Sequence, residues 1–75
     1  MRVIKYNHRT GIELVIGEVA DNDFKAAGAL VADDFYGKRR IATDSWEIKM
    51  ETARDAFMDN DTWFGRGTNV YSVKR

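Results

Sequence analysis

Residues 21–37 read DNDFKAAGALVADDFYG and mark the point at which the chain changes from strands to helices. Apolar side chains recur there at steps of three and four residues, as on one face of a helix: Phe24, Ala27, Gly28, Val31 and Phe35. Aspartates at the start can cap the helix, and Gly37 is a typical residue just beyond a helix end. The pattern predicts a helix over about residues 22–36. A glycine inside it, Gly28, predicts that another backbone passes close by.

Two β-rich runs precede this helix, at residues 3–6 and 12–19. The polar segment 7–11 separates them, and Gly11 can supply the positive φ that a short hairpin needs. Alternation places Ile12, Leu14 and Ile16 on one face of the second run. The two runs therefore predict an antiparallel hairpin.

A second helix is predicted over about residues 44–59. Asp44 followed by Glu47 resembles a capping box, and a single apolar stripe follows, made of Trp46, Met50, Ala53 and Phe57. The competing pattern is the alternation Trp46, Ile48, Met50, which would suit a strand before a shorter helix. Residues 62–64 are predicted to form a short strand or loop, and residues 69–73 a closing strand. We expect one α+β domain over residues 1–75, with two helices on one face of a small antiparallel sheet in the approximate order ββααβ.

Composition excludes several classes of protein. The chain has 75 residues, of which 44% are hydrophobic, and no cysteine, so we expect neither disulfides nor thiolate metal sites. No apolar run approaches the roughly 20 residues needed to cross a bilayer, and no leader-like segment follows Met1, so a cytoplasmic protein is the default expectation. The chain carries one histidine, His8, and its two serines lie in no nucleophile motif. We expect no enzyme, no cofactor and no metal site.

Charges are segregated along the chain, although the net charge is zero. In the second helix four acids follow one another at steps of four residues and form what we call the acidic ridge: Glu47, Glu51, Asp55 and Asp59. Like charges at this spacing cost about 0.2–0.5 kcal/mol per pair in an isolated helix. One interpretation is that the acidic ridge meets a basic surface of a partner. The alternative is an ordinary solvated helix face.

The stretch Trp63-Phe64-Gly65-Arg66-Gly67 has the composition of an interaction hot spot, in which tryptophan and arginine are enriched. Its aromatic residues could also stack on single-stranded bases. The alternative is that Trp63 or Phe64 folds back over a thin core, and we expect at least one of them to do so.

Lys38, Arg39 and Arg40 form the main basic cluster and are candidates for phosphate contacts, which Arg66, Lys74 and Arg75 would extend if they lie nearby. Cations at this position also suit the negative end of the first helix. A sequence pI near 6.6 gives no broad basic footprint. Nucleic acid is therefore the second-ranked partner.

These observations favour a non-enzymatic protein-binding module that engages a larger protein. Small cysteine-free chains include many virus-encoded inhibitors of host proteins, an analogy of size and composition only. The alternative function is a small nucleic-acid-binding accessory protein that uses the basic inter-helix loop. A homodimer formed through an exposed edge at residues 70–73 is a third hypothesis.

Overall fold

The computed structural model describes residues 1–37, 43–64 and 69–75, with the side chains of residues 43, 44 and 64 left aside. The elements in chain order are β1 Arg2–Asn7, β2 Ile12–Glu18, α1 Phe24–Tyr36, α2 Thr43–Asn60, β3 Thr62–Phe64 and β4 Asn69–Lys74. The predicted α+β class is confirmed. The predicted order ββααβ lacks one element, because residues 62–64 form the short strand β3.

The four strands form one antiparallel sheet in the order β2-β1-β4-β3. β4 is therefore central, with β1 paired along one edge and β3 along the other. The hypothesis of a dimer through residues 70–73 is wrong for this reason: the hydrogen-bonding edges of that strand are already occupied.

The predicted capping residues of α1 are present at both ends. The Asp23 side chain accepts a 3.1 Å hydrogen bond from the backbone N–H of Ala26, and Gly37 follows the last turn with φ +67°. The helix begins at Phe24, two residues later than predicted, because Asn22 adopts φ +66° and Asp23 is the N-cap. A left-handed residue cannot continue a right-handed helix.

The helices cross at Gly28, as its position predicts. A Cβ atom placed there would contact the carbonyl oxygen of Met50 and lie 3.1 Å from the backbone nitrogen of Arg54. The helical alternative for residues 44–59 is confirmed, because Met50, Ala53 and Phe57 are buried on one stripe. α2 begins at Thr43, so the predicted N-cap Asp44 already lies within the helix.

The core lies between the helices and one face of the sheet. Val3 and Val73 are register partners on β1 and β4, and both pack against Phe57 within one buried cluster. At the outer strand β2 the register shifts, since Val3 pairs with Gly17 and Ile4 with Val15, which leaves Ile16 as the additional residue of a bulge.

The apolar residues of β2 have unequal burial. Ile16 packs against the core, whereas Ile12 and Leu14 are each 55% exposed. The cause is the position of α1. Its residue Leu30 lies directly over Gly17, at one end of β2, and the helix does not cover the hairpin end of the strand.

Candidate protein-binding surface

The acidic ridge lies on the solvent side of α2. All four of its residues are exposed, and the buried stripe of the same helix faces the opposite direction. This arrangement follows from helix geometry, because the acids and the apolar stripe each recur at steps of three or four residues with a fixed angular offset. The fold leaves the acidic ridge accessible along about three turns of helix.

Among the residues that the structure describes, only one carboxylate of the acidic ridge has an ion-pair partner. Arg54 pairs with Asp55 at 3.0 Å, while Lys49 lies 4.2 Å from the centre of the Phe35 ring and so points toward the aromatic residues near the sheet. Among the described residues, Glu47, Glu51 and Asp59 take part in no ion pair. Three carboxylates therefore remain available to an external cation.

Two large apolar side chains interrupt the acidic surface. Ile48 is 64% exposed and Met58 is 62% exposed. The order Ile48, Glu51, Asp55, Met58 has steps of three, four and three residues, so these side chains align along the helix. We call the acidic ridge together with Ile48 and Met58 the outer face of α2.

A groove between the two helices adjoins this face. Its volume is about 390 Å³, and its walls combine apolar with charged groups: Lys25, Ala29, Trp46, Glu47, Met50, Glu51 and Arg54. The indole N–H of Trp46 donates a 2.9 Å hydrogen bond to Asp33 of α1, which holds one end of the groove. Glu47 and Glu51 belong to both the groove and the acidic ridge, so the two features form one continuous surface.

Trp63 occupies a different environment from the exposed tip that its sequence neighbourhood suggested. It is partly buried, packs against the core, stacks on Tyr71 at 5.6 Å between ring centres and meets the edge of Phe35 at 6.2 Å. The expectation that at least one aromatic of this stretch caps the core is thus confirmed for Trp63. Its place on β3 sets it against the aromatic residues of the core, with Lys49 of α2 5.1 Å from the centre of its ring.

The remaining candidate residues lie outside the described side chains: Phe64, Arg66, Lys38, Arg39 and Arg40. Of the residues proposed to extend the basic cluster, Lys74 pairs with Glu13 at 3.5 Å and Arg75 with Asp61 at 3.6 Å. Lys74 is the last residue of β4 and the register partner of Arg2 on β1, and Arg75 follows it. Arg66 lies outside the described residues, so the extension of the basic cluster through these residues stays a prediction.

A hydrogen bond between Tyr71 and Asp34 connects the sheet to α1. The Tyr71 hydroxyl donates to Asp34, and burial, followed by that hydrogen bond and the carboxylate charge, raises the pKa of Tyr71 well above its usual value. A phenol that holds its proton so firmly is a poor acid or base near neutral pH. The contact joins helix to sheet.

Within residues 1–37, 43–64 and 69–75, no three histidine or carboxylate side chains converge to hold a metal ion. No helix in the same ranges has the length and apolar character needed to cross a membrane. Comparison of the chain with protein-family models, curated proteins and solved structures finds no match. Function is therefore inferred from surface chemistry.

Sequence reasoning missed the exposed apolar part of the outer face of α2. The alternation Trp46, Ile48, Met50 contained the signal. Once this segment is helical, Ile48 lies two positions from both Trp46 and Met50, about 160° around the wheel, and therefore off the buried stripe. The groove had no comparable signal, because its two walls come from different helices.

Proposed function

We propose that this chain is a non-enzymatic protein-binding module whose outer face of α2 engages a basic, partly apolar surface of a larger protein. The observation that carries the proposal is the combination on one face of three carboxylates that form no ion pair with any described residue, Glu47, Glu51 and Asp59, and two exposed apolar side chains, Ile48 and Met58. Interfaces of stable complexes unite an apolar centre with complementary charges in this way.

Electrostatics gives the acidic ridge a preference among partners. Its carboxylates repel one another in the free protein, and a cationic surface placed between them converts that repulsion into attraction. The same field accelerates encounter with a basic partner at low salt. Contact with phosphate backbones is disfavoured at this face for the same reason.

The exposed apolar residues would contribute the affinity that screened surface charges cannot. Exposed ion pairs contribute about 0–1 kcal/mol, whereas burying a side chain such as Ile48 contributes about 1.5–3 kcal/mol. Met58 adds an unbranched side chain that adapts to an uneven partner surface. The groove beside Trp46 could accept a side chain from the same partner.

Two narrower hypotheses belong to this proposal. One is that the chain acts in the cytoplasm as a virus-encoded inhibitor or modulator of a host protein, which its size and composition suggest. The other is the alternative function of nucleic-acid binding through Lys38, Arg39 and Arg40, with Arg66. Phosphate contacts predict a steep fall of affinity with salt, whereas an interface centred on apolar residues predicts a shallow one.

The test begins with capture of partners by the immobilised protein from a nuclease-treated lysate, followed by affinity measurements on the purified partner. The decisive variants are Glu51→Lys, on the acidic ridge, and Glu18→Lys, an exposed glutamate on β2 that produces the same change in net charge. We expect Glu51→Lys to weaken binding by about tenfold or more and Glu18→Lys to leave it nearly unchanged.

Three results would contradict the proposal. Unchanged binding by Glu51→Lys would show that the acidic ridge is an ordinary solvated helix face. Equal loss in both variants would show a response to net charge alone. Retention of nucleic acid, with proteins lost on nuclease treatment, would support the alternative function instead.

A further inference from the structure

The outer edge of β2 is the long unpaired edge of the sheet. The order β2-β1-β4-β3 leaves two outer strands, of which β3 has three residues and β2 has seven. Short edge strands offer little template for pairing, whereas a long one presents a row of free backbone N–H and C=O groups. In the described part of the chain no other strand pairs with this edge of β2.

The hairpin end of β2 is apolar on both faces. Leu14 pairs with Lys5 and Val15 with Ile4, so the two side chains point to opposite sides of the sheet. Ile12, Leu14 and Val15 are each 55% exposed. A strand added beside them would cover apolar surface above and below the sheet.

Two of the usual protections of an edge strand are missing, since β2 contains neither lysine nor proline. Its two glutamates are exposed, and each is paired with a cation of its own sheet: Glu13 with Lys74 of β4 at 3.5 Å, and Glu18 with Arg2 of β1 at 3.6 Å. The bulge at Ile16 lies beyond the segment 12–15, whose register with β1 is regular. The edge is therefore open where its exposed apolar residues lie.

We propose that a second copy of this chain pairs with this edge, β2 against β2 and antiparallel, to form a continuous eight-stranded sheet in a two-fold dimer. The two-fold axis stands perpendicular to the sheet, so paired residues must share a face. If the axis passes beside Leu14, then Leu14 of one copy pairs with Leu14 of the other. Ile12 of each copy then pairs with Ile16 of the other, and Glu13 with Val15. An axis through Glu13 would place like charges opposite each other and is disfavoured.

The register through Leu14 explains why a second copy fits better than an unrelated strand. Each β2 is covered by α1 only at its Gly17 end. Antiparallel pairing sets the covered end of one copy beside the uncovered end of the other, so Ile12 gains Ile16 of the second copy as its neighbour. The uncovered half of β2 in each copy thus lies beside the half of β2 in the other copy that α1 already covers. This surface is separate from the outer face of α2.

The test is the mass of the purified protein by sedimentation equilibrium up to about 1 mM, a concentration that detects even a weak dimer. We expect the mass to rise with concentration from 8.6 kDa toward twice that value. Hydrogen exchange at the same concentrations should slow at the amides of residues 12–16 as the dimer forms. A mass of one chain throughout would overturn the proposal, as would a dimer whose residues 12–16 exchange at the monomer rate.

Matched variants locate the interface. Leu14→Lys should hold the protein monomeric, whereas Ile48→Lys, a similar change at an exposed side chain of α2, should leave the dimer intact. If Leu14→Lys fails to fold, Val15→Lys on the opposite face of the strand serves the same purpose. A folded β2 variant that dimerises as the wild type does would overturn the proposal.

Discussion

The Tyr71 hydroxyl donates a 2.6 Å hydrogen bond to Asp34 Oδ2, which ties the central strand β4 to the last turns of α1. The same carboxylate oxygen lies 3.0 Å from Lys5 Nζ on β1. Tyr71 is only 2% exposed, and a buried phenol needs such a partner. One carboxylate therefore joins α1 to the two inner strands of the sheet.

Loss of this hydrogen bond should weaken the fold. We expect Tyr71→Phe to lower the free energy of unfolding by about 1–3 kcal/mol, because Asp34 loses a partner in a partly buried place. Urea denaturation followed by circular dichroism measures the change. Tyr6→Phe is the control, since Tyr6 is 38% exposed, and a similar loss in both variants would contradict the assigned role of Asp34.

Stability should also fall at high pH. Burial first, then the hydrogen bond and charge of Asp34, raise the pKa of Tyr71 above the value of about 10 that is usual for tyrosine. The unfolded chain therefore loses this proton at a lower pH than the folded protein. The stabilisation that the protonated Tyr71 hydroxyl gives the folded protein is complete below about pH 10. It is lost as the pH rises from there toward the raised pKa of Tyr71. Denaturation midpoints measured between neutral pH and pH 11 should fall less steeply for Tyr71→Phe than for the wild type, and parallel curves would refute this.

The buried stripe of α2 should dominate stability. Phe57 is fully buried and Met58, its neighbour, is 62% exposed. We expect Phe57→Ala to cost about 3–5 kcal/mol, enough to unfold a domain of this size, and Met58→Ala to cost little. Thermal melts of the two variants compare the positions directly. Equal melting temperatures would refute the assigned orientation of the helix.

A methyl group added at the helix crossing should lower the stability of the protein. Alanine has the higher helix propensity by about 1 kcal/mol, but a Cβ at Gly28 would meet the backbone of α2 at Met50 and Arg54. Backbone atoms cannot move aside as a side chain can, so we expect Gly28→Ala to destabilise the protein. A gain in stability on chemical denaturation would show that the helices separate without cost.

The apolar part of the proposed interface has its own test. We expect Ile48→Ser to weaken binding of the captured protein partner, since the lost burial is worth about 1.5–3 kcal/mol when complete. Tyr6→Ser is the control, an exposed large side chain on β1 that belongs to neither proposed interface. Isothermal titration calorimetry at two salt concentrations should show a loss for Ile48→Ser that changes little with salt. A loss confined to low salt would assign the contact to charge instead.

Local patterns predicted the helices well. The apolar stripes of both, the N-cap Asp23, the terminal Gly37 and the close approach at Gly28 all depend on residues a few positions apart or on a single missing Cβ. The exposure of the acidic ridge follows from the same periodicity. Helix ends were less certain, because Asn22 and Asp23 both favour a start and only the backbone angles distinguish them.

The strands were predicted as segments but not as a sheet. Residues 70–73 read as an exposed edge, whereas β4 is central between β1 and β3. Trp63 read as an interaction tip, whereas stacking on Tyr71 places it against the core. In both cases the deciding neighbour belongs to another strand, and period-two alternation carries no information on which strands pair.

The sequence by itself determined the α+β class, the two helices and the acidic ridge along α2, because helical periodicity and capping act within a few residues. Only the tertiary structure decided that β2 is an open edge and that Asp34 joins Lys5 to Tyr71. It also decided that a groove opens between α1 and α2. These features depend on contacts between residues far apart in the chain, which arise when the core closes around Val3, Phe57 and Val73.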